Sequence, residues 1–223
     1  PAGYSMYLQG AETGLTVKNL SSGLDIDLYS PTATLRARGA VSAAGRLDAE
    51  AAGTGDIMME SVSAFVARAG DVSLSADDIG LSRVDASRTA VAVARGSITD
   101  TSDVEPTVNI AGRGVTLLAT GSVGTDEKPV DVFTKEITKV VAVGGGNVWL
   151  DASQASLRIG QVSAGGDAGV ASNYSLIDDK GTLAQAVEGV NVEMRAGQDI
   201  GQSITPIAVK TAANGQIRTV QAG

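Results

Sequence analysis

The chain has 223 residues, of which 43% are hydrophobic, so it can bury a substantial core and is not a disordered tail. It contains no cysteine and no histidine, which excludes disulfide bonds, thiolate nucleophiles, the usual zinc sites and a histidine general base. Its formal net charge of -8 opposes binding to nucleic acid, because such binding requires neutralisation of phosphates by Lys and Arg.

The apolar residues are mostly small. Aromatic residues make up only 3% of the chain, whereas there are 28 glycines and 5 prolines. This composition favours regular rows of small side chains in stacked strands with many turns. No run of about 18 apolar residues occurs, so we expect no direct membrane insertion. Residues 1–4 do not resemble a signal peptide, and any targeting segment is expected outside this chain.

Short alternations of apolar and polar residues recur along the whole chain. Each begins with Gly and then Asp, Asn or a small residue, and many end with Ala. In chain order, clear examples are GLDIDL at 23–28, GDVSLSA at 70–76 and GNVWLDA at 146–152. A period of two predicts strands with one face buried.

A longer repeat lies above these alternations. The string at Val115–Ala119, followed by Val-Gly and Pro-Val, reappears 77 residues later at Val192–Ala196, followed by Ile-Gly and Pro-Ile. Upstream, Ile79–Ala86 matches Leu157–Ala164 at a shift of 78 residues. The start of the chain is a weaker copy around Leu35–Ala37. We therefore predict one domain, with an imperfect first unit at about 1–69 and two copies at about 70–146 and 147–223.

Repeats of fixed period predict a solenoid, in which each unit buries its apolar face against its neighbours. Helical solenoids are disfavoured because each interior glycine costs a helix about 1 kcal/mol. Interruptions at 125–128 and 134–139 do not fit a strict left-handed hexapeptide helix. The prediction is an all-β, right-handed parallel β-helix of about ten coils.

The repeated string Val-x-Leu-x-Ala, then Ile-Gly and Pro-Ile-x-Val, together with Leu157–Ala164 and the Gly165–Asp167 turn, resembles the shaft repeats of filamentous haemagglutinin-like large exoproteins. The resemblance covers about residues 70–223. It implies a right-handed parallel β-helix that is secreted, often by two-partner secretion, and displayed on the surface of Gram-negative and related bacteria. It also implies a role in adhesion or biofilm attachment rather than in chemistry.

From this resemblance we expect a structural shaft segment of a secreted bacterial surface adhesin, without enzymatic activity, catalytic residues, cofactor or metal. The expected partners are neighbouring coils of a longer chain or stacked subunits, and host or matrix glycans or proteins. A self-associating extracellular filament or surface-layer subunit is the alternative. A polysaccharide-acting β-helix enzyme is disfavoured because such enzymes usually have aromatic subsites.

Several charged residues were weighed as sites. Asp25 and Asp27 flank Ile26 and share a strand face, which is how pectate lyase-like β-helices present carboxylates to calcium, but a solvated charged face is the favoured interpretation. Turn formation is favoured over calcium binding for two acidic pairs, Asp77–Asp78 and Asp178–Asp179. The same reasoning favours an ordinary exposed face over binding of acidic sugars for three basic residues, Arg36, Arg38 and Arg46.

The insertion at 125–139 is the most polar departure from the repeat and the best candidate for a recognition loop, with a solvated loop as the default. Trp149 is predicted on the exterior, packed under this loop near Phe133 and Ile137, where a sugar-stacking role is the alternative. Asn147 and Asp71 are predicted to cap turns or to form side-chain ladders along the stack.

Overall fold

The computed structural model describes residues 4–103, 107–135, 140–178, 186–202 and 205–222. Within these ranges the chain is all-β, with parallel strands stacked as a β-solenoid of about nine turns. The predicted architecture is therefore confirmed, with about nine turns in place of about ten. The right-handed sense stays a prediction.

Twenty-six short strands form the described structure. In chain order they are β1 Met6–Gln9, β2 Leu15–Val17, β3 Leu20–Ser22, β4 Ile26–Ser30, β5 Leu35–Ala37, β6 Ala40–Ala43, β7 Leu47–Ala51, β8 Ile57–Met59, β9 Ala64–Ala67, β10 Val72–Ala76, β11 Ile79–Leu81, β12 Arg83–Ala86, β13 Thr89–Ala94, β14 Ile98–Asp100, β15 Ile110–Gly112, β16 Gly114–Ala119, β17 Val130–Thr134, β18 Val140–Gly144, β19 Val148–Asp151, β20 Leu157–Ala164, β21 Ala168–Ser172, β22 Leu176–Asp178, β23 Val187–Gly189, β24 Val192–Ala196, β25 Val209–Thr211 and β26 Ile217–Ala222.

These strands build three parallel sheets. An eleven-stranded sheet runs from β1 through β4, β7, β10, β13, β16, β18, β20 and β23 to β25, with β22 beside β20. A five-stranded sheet contains β2, β5, β8, β11 and β14, and a ten-stranded sheet runs from β3 to β26. Each of the first five coils gives one strand to each sheet, so the cross-section there has three faces. Coil length varies: Val72 pairs with Ala90, and Val115 pairs with Val140.

The core is a set of aligned rows of small apolar side chains. On the eleven-stranded sheet, one inward row joins successive coils through Ile26, Leu47, Val72, Ala90, Val115 and Val140, which are at most 1% exposed. Each residue in such a row packs on its counterpart one strand spacing, about 4.8 Å, away. A coil therefore completes its apolar wall only with its neighbours, which explains why the apolar alternation continues along the whole chain.

One corner of the solenoid carries a ladder of side-chain hydrogen bonds. A polar side chain just before each strand accepts the backbone N–H of the equivalent residue in the next coil. The rungs, donor first, are Asp78 to Asp56 Oδ1 (3.2 Å), Ser97 to Asp78 Oδ1, Ser122 to Ser97 Oγ (3.1 Å), Asn147 to Ser122 Oγ (3.0 Å), Asp167 to Asn147 Oδ1 (2.8 Å), Asn191 to Asp167 Oδ1 (3.2 Å) and Gln216 to Asn191 Oδ1 (3.1 Å).

The ladder confirms the predicted role of Asn147. Asp71 lies at a different corner, where its Oδ1 accepts the backbone N–H of Thr89 at 2.8 Å. Both side chains therefore satisfy backbone donors that the turns leave unpaired, although they do not occupy equivalent places.

The cross-section changes after the fifth coil. Strand β14 is the last of the five-stranded sheet, and its face continues as single bridges from Ile98 to Val123 and from Val123 to Val148. In β17, Val130 pairs with Leu150 of β19, whereas Val132 pairs with Ile110 of β15. The ten-stranded sheet thus bends from one face of the solenoid to another at β17. The insertion beginning at residue 125 leaves the solenoid at this bend.

The 77-residue similarity is visible as a repeated loop on different faces. Gly124 and Gly201 both have positive φ, at 66° and 71°, and each lies against the proline five residues later and the residue after it. However, β16 belongs to the eleven-stranded sheet and β24 to the ten-stranded sheet. The shift therefore exceeds a whole number of coils by one face. The unit boundaries at 1–69, 70–146 and 147–223 stay a prediction.

We expect Asn147→Ala to lower the free energy of unfolding by about 1 kcal/mol, because the N–H of Asp167 loses its acceptor. Asn147→Asp keeps an acceptor oxygen at the same place and should lie within about 0.5 kcal/mol of the parent chain. Urea denaturation followed by circular dichroism measures both values. Equal stability of the two variants would contradict a contribution from this rung.

Candidate binding cleft at Trp149

The cleft lies on the outer surface beside the bend. Strand β19 buries Val148 and Leu150 and turns Trp149 and Asp151 outward, as its alternation predicts. Trp149 pairs with Gly169 of β21, which pairs with Glu193 of β24. The first and third strands of this series are roughly 10 Å apart. Their long side chains therefore form two walls, and the residues of β21 between them form the floor.

Small residues make the floor low. A Cβ atom at Gly169 would overlap Cε3 and Cζ3 of Trp149, so the indole ring occupies the space that a side chain at 169 would fill. Ala171 is the next outward residue of the floor and also lines the cleft. The ring is therefore half-buried against the next coil, while Trp149 still lines an open cleft of about 190 Å³.

The insertion supplies a further part of the wall. Gly124 begins it with φ of 66°, and a Cβ there would lie 2.6 Å from the carbonyl oxygen of Trp149, so the loop needs glycine at this point. Thr125 and Lys128 close a tight turn, because the N–H of each donates to an oxygen of the other at 3.0 Å. This turn places Asp126 and Pro129 at the cleft.

Lys128 anchors the turn to the preceding coil. Its Nζ donates to the carbonyl oxygen of Ser102 and lies 3.8 Å from Asp100 Oδ2, which forms no hydrogen bond. Asp100 Oδ1 accepts the N–H and the hydroxyl of Ser102, both at 2.7 Å, and a hydrogen bond from Nδ2 of Asn109. The Oδ1 of Asn109 accepts the N–H of Asp131 at 2.7 Å. A buried polar network therefore fixes the base of the insertion.

Lys135 makes a second anchor two coils back. Its Nζ donates to Asp85 Oδ1 and, at 2.8 Å, to the carbonyl oxygen of Ala86. The two lysines that looked free in the sequence thus hold the insertion against the solenoid, and the exposed charges of its described part are Asp126 and Glu127. The predicted recognition loop lies at a cleft. Residues 136–139, including Ile137, lie outside the described residues.

Electrostatics in the cleft are predominantly acidic. Burial raises the pKa of Asp151, an effect that a hydrogen bond from the N–H of Ala152 to its Oδ1 (2.7 Å) partly opposes. Glu193 forms an ion pair with Arg195 on the opposite wall. Asp126 is exposed, so the cleft presents two carboxylates beside one internally neutralised pair.

Sequence reasoning located Trp149 and the insertion but not the other cleft residues. Asp151 follows from Trp149 by strand alternation. Gly169, Glu193 and Arg195 come from later coils, and only the register between coils brings them to Trp149. Phe133, the predicted neighbour of Trp149, instead lines a separate groove with Lys135 on another face.

The acidic residues near the start of the chain belong to ion pairs and turns. Arg46 contacts Asp27 at 3.0 Å and Asp48 at 2.9 Å, and its backbone N–H donates to Asp25 Oδ1 at 2.8 Å. Burial raises the pKa of Asp48, and the charge of Arg46 opposes this shift. The carboxylates predicted on one face thus surround an arginine, in a surface depression that also contains Tyr7.

The other weighed residues are dispersed. Asp78 is a rung of the ladder, and Asp77 lies 3.6 Å from Arg95, which agrees with a role in turns. Asp178 is buried at the end of β22, and Asp179 lies outside the described residues.

The three weighed arginines do not share one surface. Arg36 is exposed on the five-stranded sheet, Arg38 pairs with Glu60 at 2.8 Å, and Arg46 precedes a strand of the eleven-stranded sheet. Within the described ranges, no group of three or more acidic residues could hold a metal ion. The described residues also include no helix long and apolar enough to cross a membrane.

Comparison with known proteins gave no match. No family model, no curated protein and no solved structure is significantly similar to this chain.

We expect Asp151→Asn to raise the melting temperature at pH 7 by roughly 2 °C. A raised pKa means that the native state binds the proton more tightly than the unfolded chain does, so ionised Asp151 costs stability above its native pKa. The gain should disappear below the unfolded pKa, near pH 3.5. Melting curves at pH 7 and 3.5 measure it, and a gain that grows as the pH falls would contradict the assignment.

Lys128→Met should lower the free energy of unfolding by roughly 1–2 kcal/mol, because it leaves the carboxylate of Asp100 buried without its cation. Lys210→Met is the matched control. It removes a lysine from an exposed pair with Glu188 and should cost at most about 0.5 kcal/mol. Urea denaturation measures both, and an equal loss in the two variants would contradict the role of Lys128.

Proposed function

We propose that this chain is a structural shaft segment of a large secreted bacterial surface adhesin, which holds attachment surfaces away from the cell. The observation that carries the proposal is the continuity of the stack: apolar rows and one hydrogen-bond ladder run through successive coils. Such a stack behaves as a stiff rod, because each coil is bonded along the axis to the next.

The distribution of charge agrees with a structural role. Carboxylates at Asp27, Asp85 and Asp100 lie beside Arg or Lys side chains on separate parts of the surface. Ion pairs of this kind hold neighbouring coils and an insertion in place, whereas acid–base chemistry on polysaccharides needs two carboxylates set across one substrate. The resemblance to haemagglutinin-like shaft repeats supports the same function.

The location of the natural protein tests this proposal. Antibodies raised against the purified chain should label the outer surface of intact producing cells in immunoelectron microscopy, and deletion of the gene should reduce attachment to a substratum or to other cells. Antibody pre-absorbed with the chain is the control. Label confined to the cytoplasm, or unchanged attachment after deletion, would overturn the proposal.

The rod itself is measurable separately. Nine turns at about 4.8 Å each predict a stack roughly 45 Å long. Small-angle X-ray scattering of the purified chain should give an elongated particle of about this length. Concentration-dependent growth into fibres would favour the alternative of a self-associating filament.

A further inference from the structure

We propose that the Trp149 cleft binds one pyranose ring of a non-acidic saccharide. The proposal deepens the function given above by naming a ligand class for this segment of the shaft. It starts from the tryptophan itself. Trp149 is the single tryptophan of the chain, and its outward position leaves the indole half-exposed at a cleft beside a loop.

The shape of the cleft suits a flat, partly apolar ring. Gly169 and Ala171 form a floor without bulky side chains, and the cleft volume of about 190 Å³ is small, as befits one ring rather than a peptide or an extended ligand. The C–H face of a sugar can pack on the indole while its hydroxyl groups point to the rim. A single aromatic residue is enough for one ring.

The polar groups around the indole match sugar hydroxyl groups. Carboxylates of Asp126 and Asp151 accept hydrogen bonds, and the guanidinium of Arg195 on the far wall donates them. These groups are held before any ligand arrives: Asp151 by the N–H of Ala152, and the turn carrying Asp126 by Lys128. Prior ordering of this kind lowers the entropic cost of binding.

Charge decides between classes of sugar. Arg195 is already neutralised by Glu193, so Asp126 and Asp151 leave the cleft with an excess of negative charge. The chain as a whole adds a net charge of -8. Uronic and sialic acids would be repelled by this field, whereas neutral and amino sugars would not.

Fluorescence of the purified chain tests the proposal, because every photon emitted by tryptophan comes from the cleft. We expect a saturable change on titration with at least one of glucose, galactose, mannose, N-acetylglucosamine and glucosamine, with a dissociation constant of order 1 mM. For the preferred ring, the matching uronic acid should bind at least about tenfold more weakly.

Variants locate the binding. Trp149→Ala should weaken it at least about tenfold by saturation-transfer NMR. Gly169→Ala should weaken it about fivefold by displacing the indole. Tyr174→Ala removes an exposed aromatic residue outside the cleft and should change nothing. Circular dichroism confirms folding, and if Trp149→Ala does not fold, Gly169→Ala and Asp151→Asn replace it.

Three results would overturn the proposal: no saturable change with any of the five sugars up to about 50 mM, unchanged affinity in the cleft variants, or equal affinity for the uronic acid. None of them bears on the surface labelling or on the rod dimensions. Failure of the saccharide site and failure of the shaft function are therefore distinguishable.

Discussion

The axial contact between successive coils is the constraint from which the rest of this structure follows. No coil buries its own apolar face, so each inward residue needs a counterpart one strand spacing away, as Leu47 has in Ile26 and Val72. The same constraint acts on polar groups, because a turn leaves backbone N–H groups that only the neighbouring coil can satisfy. The corner ladder meets this need with Asp, Ser and Asn side chains in turn, each of which offers an oxygen at the required height.

The insertion shows how the stack tolerates an interruption. Its strands part at Val123, where the face is reduced to single bridges, and regular pairing resumes at β19. Asp100, buried beside this break, would destabilise the coil if it were unpaired, and Lys128 of the insertion supplies the missing cation. The insertion is therefore part of the packing of the solenoid at its base, and only its tip is free to contact a ligand.

The amino-acid sequence was sufficient to predict the sheet content, the stacking and the inward or outward direction of most strand residues, since these depend on a local period of two. It also located the insertion and Trp149. It was insufficient for contacts that depend on coil length, which ranges from 18 residues between Val72 and Ala90 to 25 between Val115 and Val140. Each irregular coil shifts the register of all later ones, so the placement of Gly169 beneath Trp149 cannot be counted from the sequence. Phe133 was placed on the wrong face for the same reason.

Asp151 shows how a structural rod can hold a binding site without losing its regularity. The carboxylate occupies an outward strand position that any small polar residue could fill, yet it is half-buried and its pKa is raised, so at neutral pH it works against stability. Asp131, its neighbour in the previous coil, is also a carboxylate, and the indole of Trp149 lies in the adjacent outward row. A stack selected for rigidity alone would gain from a neutral residue at this position. The retention of an unfavourable charge beside a half-exposed indole is therefore better explained by what the cleft contacts than by what the coil requires.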